Sequence, residues 1–284
     1  MAINYDKLMS LKHPVKEFTY TERDSMLYAL GIGFGADPMD RKELPFVYEK
    51  DIRVCPTQAT VIAWDDTAIM GCGVNIVMVV HGEQRITLHK PLPAAATVTS
   101  SIRVTDVFDK GEGKGAIILM ETVIRDKASG APLCTNNSTV FARGDGGFGG
   151  PKGNGPAPHA LPERKPDAVC DLKTKPDQAF IYALSGDRNP LHRDPDFAAA
   201  AGFPRPILHG LCTYGHACHA VVRSMCDYQA DRITEFAGRF SAPVYPGETI
   251  RTEMWRDGAV VSFRCFVTER NLLVFNNGKA VLRA

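Results

Sequence analysis

A polar loop two thirds of the way along the chain carries three groups that can move protons or hold water. The stretch SGDRNPLH (185–192) brings together the carboxylate of Asp187, the amide of Asn189 and the imidazole of His192. An imidazole titrates near neutral pH, and the pKa of a carboxylate in an apolar cleft can rise toward it. Such a pair can hold one water, take a proton from one side of a substrate and return one to the other. The same residue types are also typical of a plain helix C-cap followed by a turn.

A glycine at the predicted start of a long helix follows this loop. Pro206 excludes helix just before it, and from Gly210 to Met225 apolar residues recur at helical spacing. A glycine in this place lets a ligand approach the exposed N–H groups and the positive end of the helix dipole. An oxygen that gains negative charge during a reaction would be stabilised there. The alternative is a buried helix start at which glycine serves packing alone.

Three other patterns suggest a metal or a cofactor, and none of them is complete. Cys212, His216 and His219 share a face of the predicted helix, but no carboxylate or further Cys/His cluster completes a metal site. The glycines of GIGFGAD (31–37) follow a helix rather than a strand, which is not the setting of a dinucleotide-binding turn. GGPKGNG (149–155) lacks the Gly-Lys-Ser/Thr of a phosphate loop. We therefore predict no metal and no cofactor.

Composition excludes several classes of partner. The 284 residues carry a net charge of +1, so neither nucleic acid nor an acidic membrane surface is an expected partner. The eight cysteines form no Cys-x-x-Cys pair and are expected to be free thiols in a reducing compartment. The N-terminus has no apolar signal core, and the C-terminal VLRA is not a peroxisomal address. These features favour a cytoplasmic enzyme.

The chain divides into two halves that resemble each other. The stretch 144–158 contains seven glycines and three prolines and is expected to be a linker between units 1–143 and 159–284. TERDSMLYALGIG begins at Thr21 and TKPDQAFIYALSGD at Thr174, and each Thr-x-x-Asp predicts a helix N-cap. Their tyrosines are 154 residues apart, and Pro93 and Pro246 are 153 apart. A nearly constant offset indicates an internal repeat.

Each half is predicted to begin with a long helix and to continue with long strands. The strand predictions are 96–108, 115–126 and 133–143 in the first half and 249–256, 259–267 and 271–284 in the second. This order predicts an α+β pseudo-dimer with helices on one face of an antiparallel sheet. At the point of the first half that matches Asp187 stands Gly33, and no histidine follows. The shared fold therefore does not require the acid and the imidazole, which favours a catalytic role for them.

The stretch YALSGDRNPLHRDPDFAAAAGFPRPILHG (182–210) closely resembles the hydratase 2 signature of the MaoC-like hydratases, the (R)-specific enoyl-CoA hydratases. VVHGEQ (79–84), HKPLP (89–93), DKGEGKG (109–115) and FARGDGGFGG (141–150) resemble the N-terminal half of that family, so the resemblance covers nearly the whole chain. It implies a double hot-dog fold, in which each half wraps an antiparallel sheet around a long helix. Only the C-terminal half would keep the catalytic loop, and the N-terminal half would accommodate the acyl chain.

The resemblance also implies an activity and a set of site residues. The family adds water reversibly to a trans-2-enoyl-CoA, giving the (3R)-3-hydroxyacyl-CoA, without metal or redox cofactor. Carried onto this chain, the catalytic residues would be Asp187, His192, Asn189 and Gly210, the last offering its N–H to the thioester oxygen. Substrate contacts would come from His81, Gly82, Lys110, Arg188, Pro190, Leu191 and Phe240. An ammonium such as that of Lys110 suits the phosphates of CoA.

Three alternatives stay open at this point. The same machinery could serve a bulky thioester, such as a steroid side chain or a polyketide, in the direction of dehydration. A catalytically silent acyl-thioester binding protein is the other alternative, although binding alone needs neither Asp187 nor His192. A hot-dog thioesterase would hydrolyse the substrate rather than hydrate it. The resemblance further implies a homodimer.

Overall fold

Ten strands form one continuous antiparallel sheet in the computed structural model, which describes residues 3–65 and 67–283. The strands are β1 (Lys16–Tyr20), β2 (Val79–Leu88), β3 (Ala96–Asp109), β4 (Ala116–Asp126), β5 (Pro132–Ala142), β6 (Ala168–Lys173), β7 (Ile233–Phe240), β8 (Thr249–Asp257), β9 (Val260–Val267) and β10 (Leu272–Leu282). Their order across the sheet is β1-β3-β4-β5-β2-β7-β10-β9-β8-β6. The six predicted strands are confirmed, whereas β1, β2, β6 and β7 were not predicted.

The strand order repeats about the centre of the sheet. Read outward from the β2–β7 junction, each half has the same connectivity: β2-β5-β4-β3-β1 on one side and β7-β10-β9-β8-β6 on the other. At the junction Ile86 pairs with Phe236, and both side chains are buried in the shared core. The predicted internal repeat and the α+β double hot-dog fold are confirmed.

The helices are α1 (Tyr5–Ser10), α2 (Glu22–Gly31), α3 (Leu44–Val47), α4 (Gln178–Ala183), α5 (Pro195–Ala200) and α6 (Gly210–Met225). The residues of α6 from Leu211 to Val222 are all buried, including the polar Thr213, His216 and His219, so this helix is enclosed on every side in the C-terminal half of the sheet. Its start at Gly210 is the predicted one. Among the described residues, no helix combines the length and the apolar character needed to cross a membrane.

The expectation of one long helix in each half is wrong for the N-terminal half. Where α6 would have its counterpart, the described residues form only a short 3₁₀ helix, Pro56–Thr60, followed by turns. Gly71 and Gly73 adopt positive φ in these turns, a conformation that no helix continues through. The repeated Tyr-Ala-Leu runs form the shorter helices α2 and α4, which are not the wrapped helix.

The helices α2 and α4 pack against each other where the two halves meet. The rings of Tyr28 and Tyr182 lie 6.0 Å apart, and the Gln178 amide donates to the backbone oxygen of Gly31 (2.7 Å). The expected N-cap at Thr21 is confirmed, since Asp24 accepts from its backbone N–H. The one at Thr174 is wrong, because this hydroxyl donates to Glu248 O and Pro176 delays the helix to Gln178.

The glycine-rich stretch 144–158 contains no helix or strand and packs against the sheet. The carboxylate of Asp109 accepts from the N–H groups of Gly147 and Gly149 at 2.7 and 2.8 Å. A Cβ at Gly153 would lie 2.6 Å from the ring of Phe108, so glycine allows the chain to run close over the strand. The division of the chain into units 1–143 and 159–284 stays a prediction.

Candidate active site

The loop after α4 is shaped by one glycine and two side-chain-to-backbone hydrogen bonds. Gly186 has a φ of 140° and passes close to Trp64 of the other half. The N–H of Asn189 donates to Asp187 Oδ1 (3.0 Å), and the N–H of Leu191 donates to Asn189 Oδ1 (3.0 Å). The second bond caps a 3₁₀ helix, Pro190–His192. The turn interpretation is therefore correct for the backbone, and it coexists with a cluster of reactive groups.

Asp187 and His192 converge, and a third residue, His209, joins them. One potential ligand atom of each side chain lies within 4.8 Å of those of the other two. The His192 ring is buried, and its Nδ1 lies 2.9 Å from the backbone oxygen of Ile207. A carbonyl oxygen can only accept, so Nδ1 carries the proton. In the neutral ring Nε2 is then free of hydrogen and can accept a proton.

The environment keeps this imidazole neutral. Burial lowers the pKa of His192, and the charge of Arg193 acts in the same direction. The carboxylate of Asp187 and the carbonyl of Ile207 raise it, but by less than burial lowers it. His192 is therefore an unprotonated base at neutral pH and somewhat below it.

His209 was not among the predicted site residues. It is the N-cap of α6, it is fully buried, and its ring lies 3.9 Å from the ring of His192, centre to centre, at an angle of 31°. Its Nε2 donates to the backbone oxygen of Asp187 (3.1 Å). Burial lowers the pKa of His209 to about 2, so this ring stays neutral. Only the three-dimensional fold brings residue 209 to residue 187.

Two of the three side chains already use one ring nitrogen for a backbone carbonyl. His192 Nδ1 donates to Ile207 O and His209 Nε2 donates to Asp187 O, which leaves His192 Nε2, His209 Nδ1 and the Asp187 carboxylate as the possible ligands of this cluster. The two rings are tilted by 31° with their centres 3.9 Å apart. The absence of a metal stays a prediction. Among the described residues this is the one group of three close potential ligands.

The helical face of Cys212, His216 and His219 belongs to the core. His216 Nδ1 donates to the backbone oxygen of Cys212 (2.9 Å), as a helix-internal bond. The sequence offered no carboxylate for this face, but the fold brings one: Glu43 Oε1 lies 2.9 Å from His219 Nε2, and both side chains are buried. Glu43 also accepts from Gly35 N–H (2.7 Å) and so ties the loop of the N-terminal half to α6.

Gly210, Phe240 and His81 form one continuous surface at the start of α6. A Cβ at Gly210 would lie 3.2 Å from the Phe240 ring, and that ring lies 4.9 Å from the ring of His81. Gly82 occupies a β-bulge in β2, where the pairing with β5 shifts register between His81 and Glu83. Burial lowers the pKa of His81 to about 4. The N–H of Gly210 is in the first turn of α6, where backbone donors have no partner within the helix.

The other predicted substrate contacts lie outside this cluster. Lys110 Nζ donates to Gly153 O (3.1 Å) and to the side chain of Asn154, both in the glycine-rich stretch. Arg188 and Pro190 are exposed on the outer side of the loop, and Leu191 is half-buried. Their assignment to substrate binding stays a prediction.

A cavity of about 430 Å³ opens elsewhere in the molecule. Leu88 and Ile233 line it, and they stand at the ends of β2 and β7 opposite to His81 and Phe240. None of the predicted site residues lines it. It is therefore separate from the reactive cluster.

The N-terminal half keeps the turn of the catalytic loop without its chemistry. Asp37 Oδ1 accepts from the N–H of Met39 (2.9 Å), as Asn189 Oδ1 accepts from Leu191. Pro38 lies between them, as Pro190 does in the C-terminal half. The turn thus forms in both halves, but no histidine is present between residues 32 and 43.

Comparison with known proteins identifies the family. Residues 18–144 match the family model of the MFE-2 hydratase 2 N-terminal domain, and residues 158–276 match that of the MaoC like domain. The chain is 41% identical over 290 residues to "Enoyl-CoA hydratase 2, peroxisomal" from Arabidopsis thaliana, covering 95% of this chain and 93% of that protein. It is 45% identical to "3-hydroxyacyl-thioester dehydratase Y" from Mycobacterium tuberculosis, over 90% of this chain and 88% of that one.

A solved structure agrees along the whole length. The crystal structure of a MaoC-like dehydratase from Phytophthora capsici superimposes with a TM-score of 0.86 and 33% identity, covering 99% of this chain and 98% of that chain. The chain belongs to the MaoC-like dehydratase and hydratase 2 family, and it is an enzyme of the hydro-lyase class. The resemblance found in the signature loop is therefore confirmed.

Proposed function

We propose that the protein catalyses the reversible hydration of a trans-2-enoyl-CoA to the (3R)-3-hydroxyacyl-CoA. The observation that carries this proposal is the convergence of Asp187 and His192, with His192 Nε2 unprotonated. The named activities of the relatives support it, since both act at the C2–C3 position of an acyl thioester in one direction or the other.

The pair carries out the proton transfers of the reaction. Water held between Asp187 and His192 gives a proton to His192 Nε2 as its oxygen adds to C3 of the enoyl thioester. The proton that His192 Nε2 has taken is then delivered to C2 from the same face of the substrate, so that OH has been added to C3 and H to C2, and the pair regains its starting state. Each proton transfer of this kind contributes on the order of 10²- to 10⁴-fold to the rate.

The thioester oxygen gains negative charge when C3 is attacked. The N–H of Gly210, at the positive end of α6, is the donor we assign to this oxygen. Glycine keeps the approach open, because any larger residue would be pressed against Phe240. Asn189 serves the reaction through its bond to Leu191, which fixes the 3₁₀ helix that carries His192.

The substrate is expected to enter with its acyl chain toward the N-terminal half. Trp64 belongs to the stretch that stands in place of the long helix in this half, and it lies beside Gly186. The part of the N-terminal half that lacks the helix is therefore next to the catalytic loop. His81, Gly82 and Phe240 would face the thioester. Lys110 and Arg188 would bind the CoA phosphates as cations, and Pro190 and Leu191 would contact the substrate from the loop.

Homodimer formation and a cytoplasmic location complete the proposal. The homodimer is what the family resemblance implies, and the free cysteines suit a reducing compartment such as the cytoplasm. The relatives include a protein named as peroxisomal and a mycobacterial one. Dehydration of a bulky 3-hydroxyacyl thioester is the second candidate function. The direction of dehydration in this candidate is favoured by the 45% identity to the mycobacterial 3-hydroxyacyl-thioester dehydratase.

A spectroscopic assay tests the function. Crotonyl-CoA and a C10 trans-2-enoyl-CoA are followed at the absorbance of the conjugated double bond, and the chirality of the product is determined. Loss of the enoyl band with (3R) product supports the proposal. An (S) product, release of free thiol, or binding of both substrates without turnover contradicts it, and the last two indicate a thioesterase and a binding protein.

A further inference from the structure

The reacting groups of the proposed function all depend on one short segment, Ile207–Gly210. The carbonyl of Ile207 holds His192 Nδ1–H, and the ring of His209 holds the backbone oxygen of Asp187. The next residue, Gly210, presents its N–H at the start of α6. The segment is itself fixed from outside, because Leu208 N–H donates to Val244 O (2.7 Å).

Within this segment His209 is the side chain that connects the loop to the helix. Its ring lies between two others, 3.9 Å from His192 and 5.0 Å from Tyr182, so its rotation is restricted on both sides. Its Nε2–H reaches across to Asp187 O (3.1 Å). Its own carbonyl accepts from the N–H groups of Cys212 and Thr213 and so forms the first turn of α6.

We propose that His209 is a positioning residue that sets the distance between the Asp187–His192 pair and the N–H of Gly210. This inference rests on the proposed function, in which the pair acts at C2 and C3 while Gly210 binds the thioester oxygen. Because those atoms belong to one rigid conjugated group, the three donors and acceptors must keep a fixed spacing. A misplacement of about 1 Å at such a site costs about 100-fold in rate.

The neutral state of the ring suits this role. Burial holds the pKa of His209 at about 2, so the ring does not exchange protons with substrate at working pH. Its Nδ1 is buried and has no hydrogen-bond partner among the described residues. The one polar bond of the side chain is therefore the bond to Asp187.

Substitutions at residue 209 separate positioning from general packing. His209→Phe keeps an aromatic ring between His192 and Tyr182 and loses the N–H donor, and we expect kcat to fall about 30- to 100-fold with KM within threefold. His209→Gln places an amide N–H near the position of Nε2 and should restore kcat to within about fivefold of wild type. The control is His216→Phe, another fully buried histidine of α6, which should keep kcat within threefold.

The outcomes are distinguishable from failure of the proposed function. If Asp187→Asn abolishes turnover while His209→Phe keeps more than a third of kcat, the positioning role is overturned and the proposed function stands. If Asp187→Asn itself keeps wild-type activity, the proposed function has failed. Should His209→Phe not fold, His209→Gln and His209→Asn carry the test. Only the glutamine amide reaches Asp187 O, and equal kcat in the two overturns the proposal.

Discussion

Replacing Gly186 by alanine perturbs the catalytic loop directly. Its φ of 140° is unfavourable for any residue with a Cβ, at a cost of about 1–3 kcal/mol. The new Cβ would lie 3.0 Å from Trp64 Cβ and 3.3 Å from Trp64 Cγ, whereas carbon atoms in contact are about 3.5–4.0 Å apart. Overpacking of this kind costs about 1–3 kcal/mol. Held in its native geometry, the loop would therefore lose about 2–6 kcal/mol.

The loop can relieve much of this cost by moving away from Trp64, and Asp187 moves with it. We expect Gly186→Ala to lose less than the full 2–6 kcal/mol in denaturant unfolding, and to lose about 100-fold in kcat. Gly202→Ala is the matched control: its φ is also positive, at 86°, but its Cβ would contact nothing within 4 Å. It should lose stability and keep kcat within threefold. A folded Gly186→Ala with kcat within threefold of wild type would refute the reasoning.

Three further predictions concern pH, the loop cap and the start of α6. The pKa is lowered for three buried histidines, His192, His209 and His216, and for two half-buried ones, His81 and His159. Below pH 6.5 these side chains bind more protons in the unfolded chain than in the folded one, so the stability they contribute is full above that pH and falls below it, by up to ~4 kcal/mol per pH unit for the three buried histidines together. Denaturant unfolding at pH 7.5, 6 and 5 measures this, and an unchanged midpoint between pH 6 and 5 would contradict it. Asn189→Ala removes the hydrogen bond that caps Leu191 N–H and should lower the free energy of unfolding by about 1 kcal/mol. Asn189→Asp should keep this cap, because Asp37 caps Met39 in the same way in the other half. Equal unfolding midpoints for the two variants would contradict the role of the cap. In Gly210→Ala the new methyl group would press on the Phe240 ring. We expect a clear loss of kcat in steady-state kinetics and only a small change in the midpoint of thermal unfolding. Unchanged kinetics would contradict this and would show that the ring moves aside without affecting the site.

Most of the fold could be predicted from the sequence, because the residue pattern within each long strand is enough to identify it. The β3–β5 and β8–β10 strands are long, rich in β-branched and aromatic residues, and separated by turn residues, so local pattern decides them. Strand β2 is not found in this way, because charged residues and the Gly82 bulge interrupt its pattern. It becomes a strand through pairing with β7 and β5, which are distant in sequence.

The missing helix of the N-terminal half shows the same limit. A repeat predicts that both halves do the same thing, and the stretch 56–78 departs from its counterpart without an obvious signal. The helical spacing of the Tyr-Ala-Leu runs favours α2 and α4 instead. Which helix is wrapped by the sheet depends on tertiary packing rather than on periodicity.

The site residues also fall into those that the local sequence suggests and those that only the fold brings together. Asp187, Asn189 and His192 are close in sequence, and their types and spacing alone suggest a function. His209 stands 22 residues after Asp187, and although the signature stretch 182–210 contains both residues, only the fold shows that they are in contact. The tautomer of His192 also needs the fold, because it is set by a carbonyl 15 residues away.

The most direct test of the central assignment is the kcat of Asp187→Asn, His192→Asn and the double variant on one enoyl-CoA. The amide oxygen introduced by Asp187→Asn would still accept from the backbone of Asn189, and the amide introduced by His192→Asn offers an N–H near the position of Nδ1, so both variants should fold. We predict a loss of about 10²- to 10⁴-fold for each single variant, with the double variant little worse than either, because the two residues act as a unit. Single variants that fold and keep more than a tenth of wild-type kcat would contradict the account.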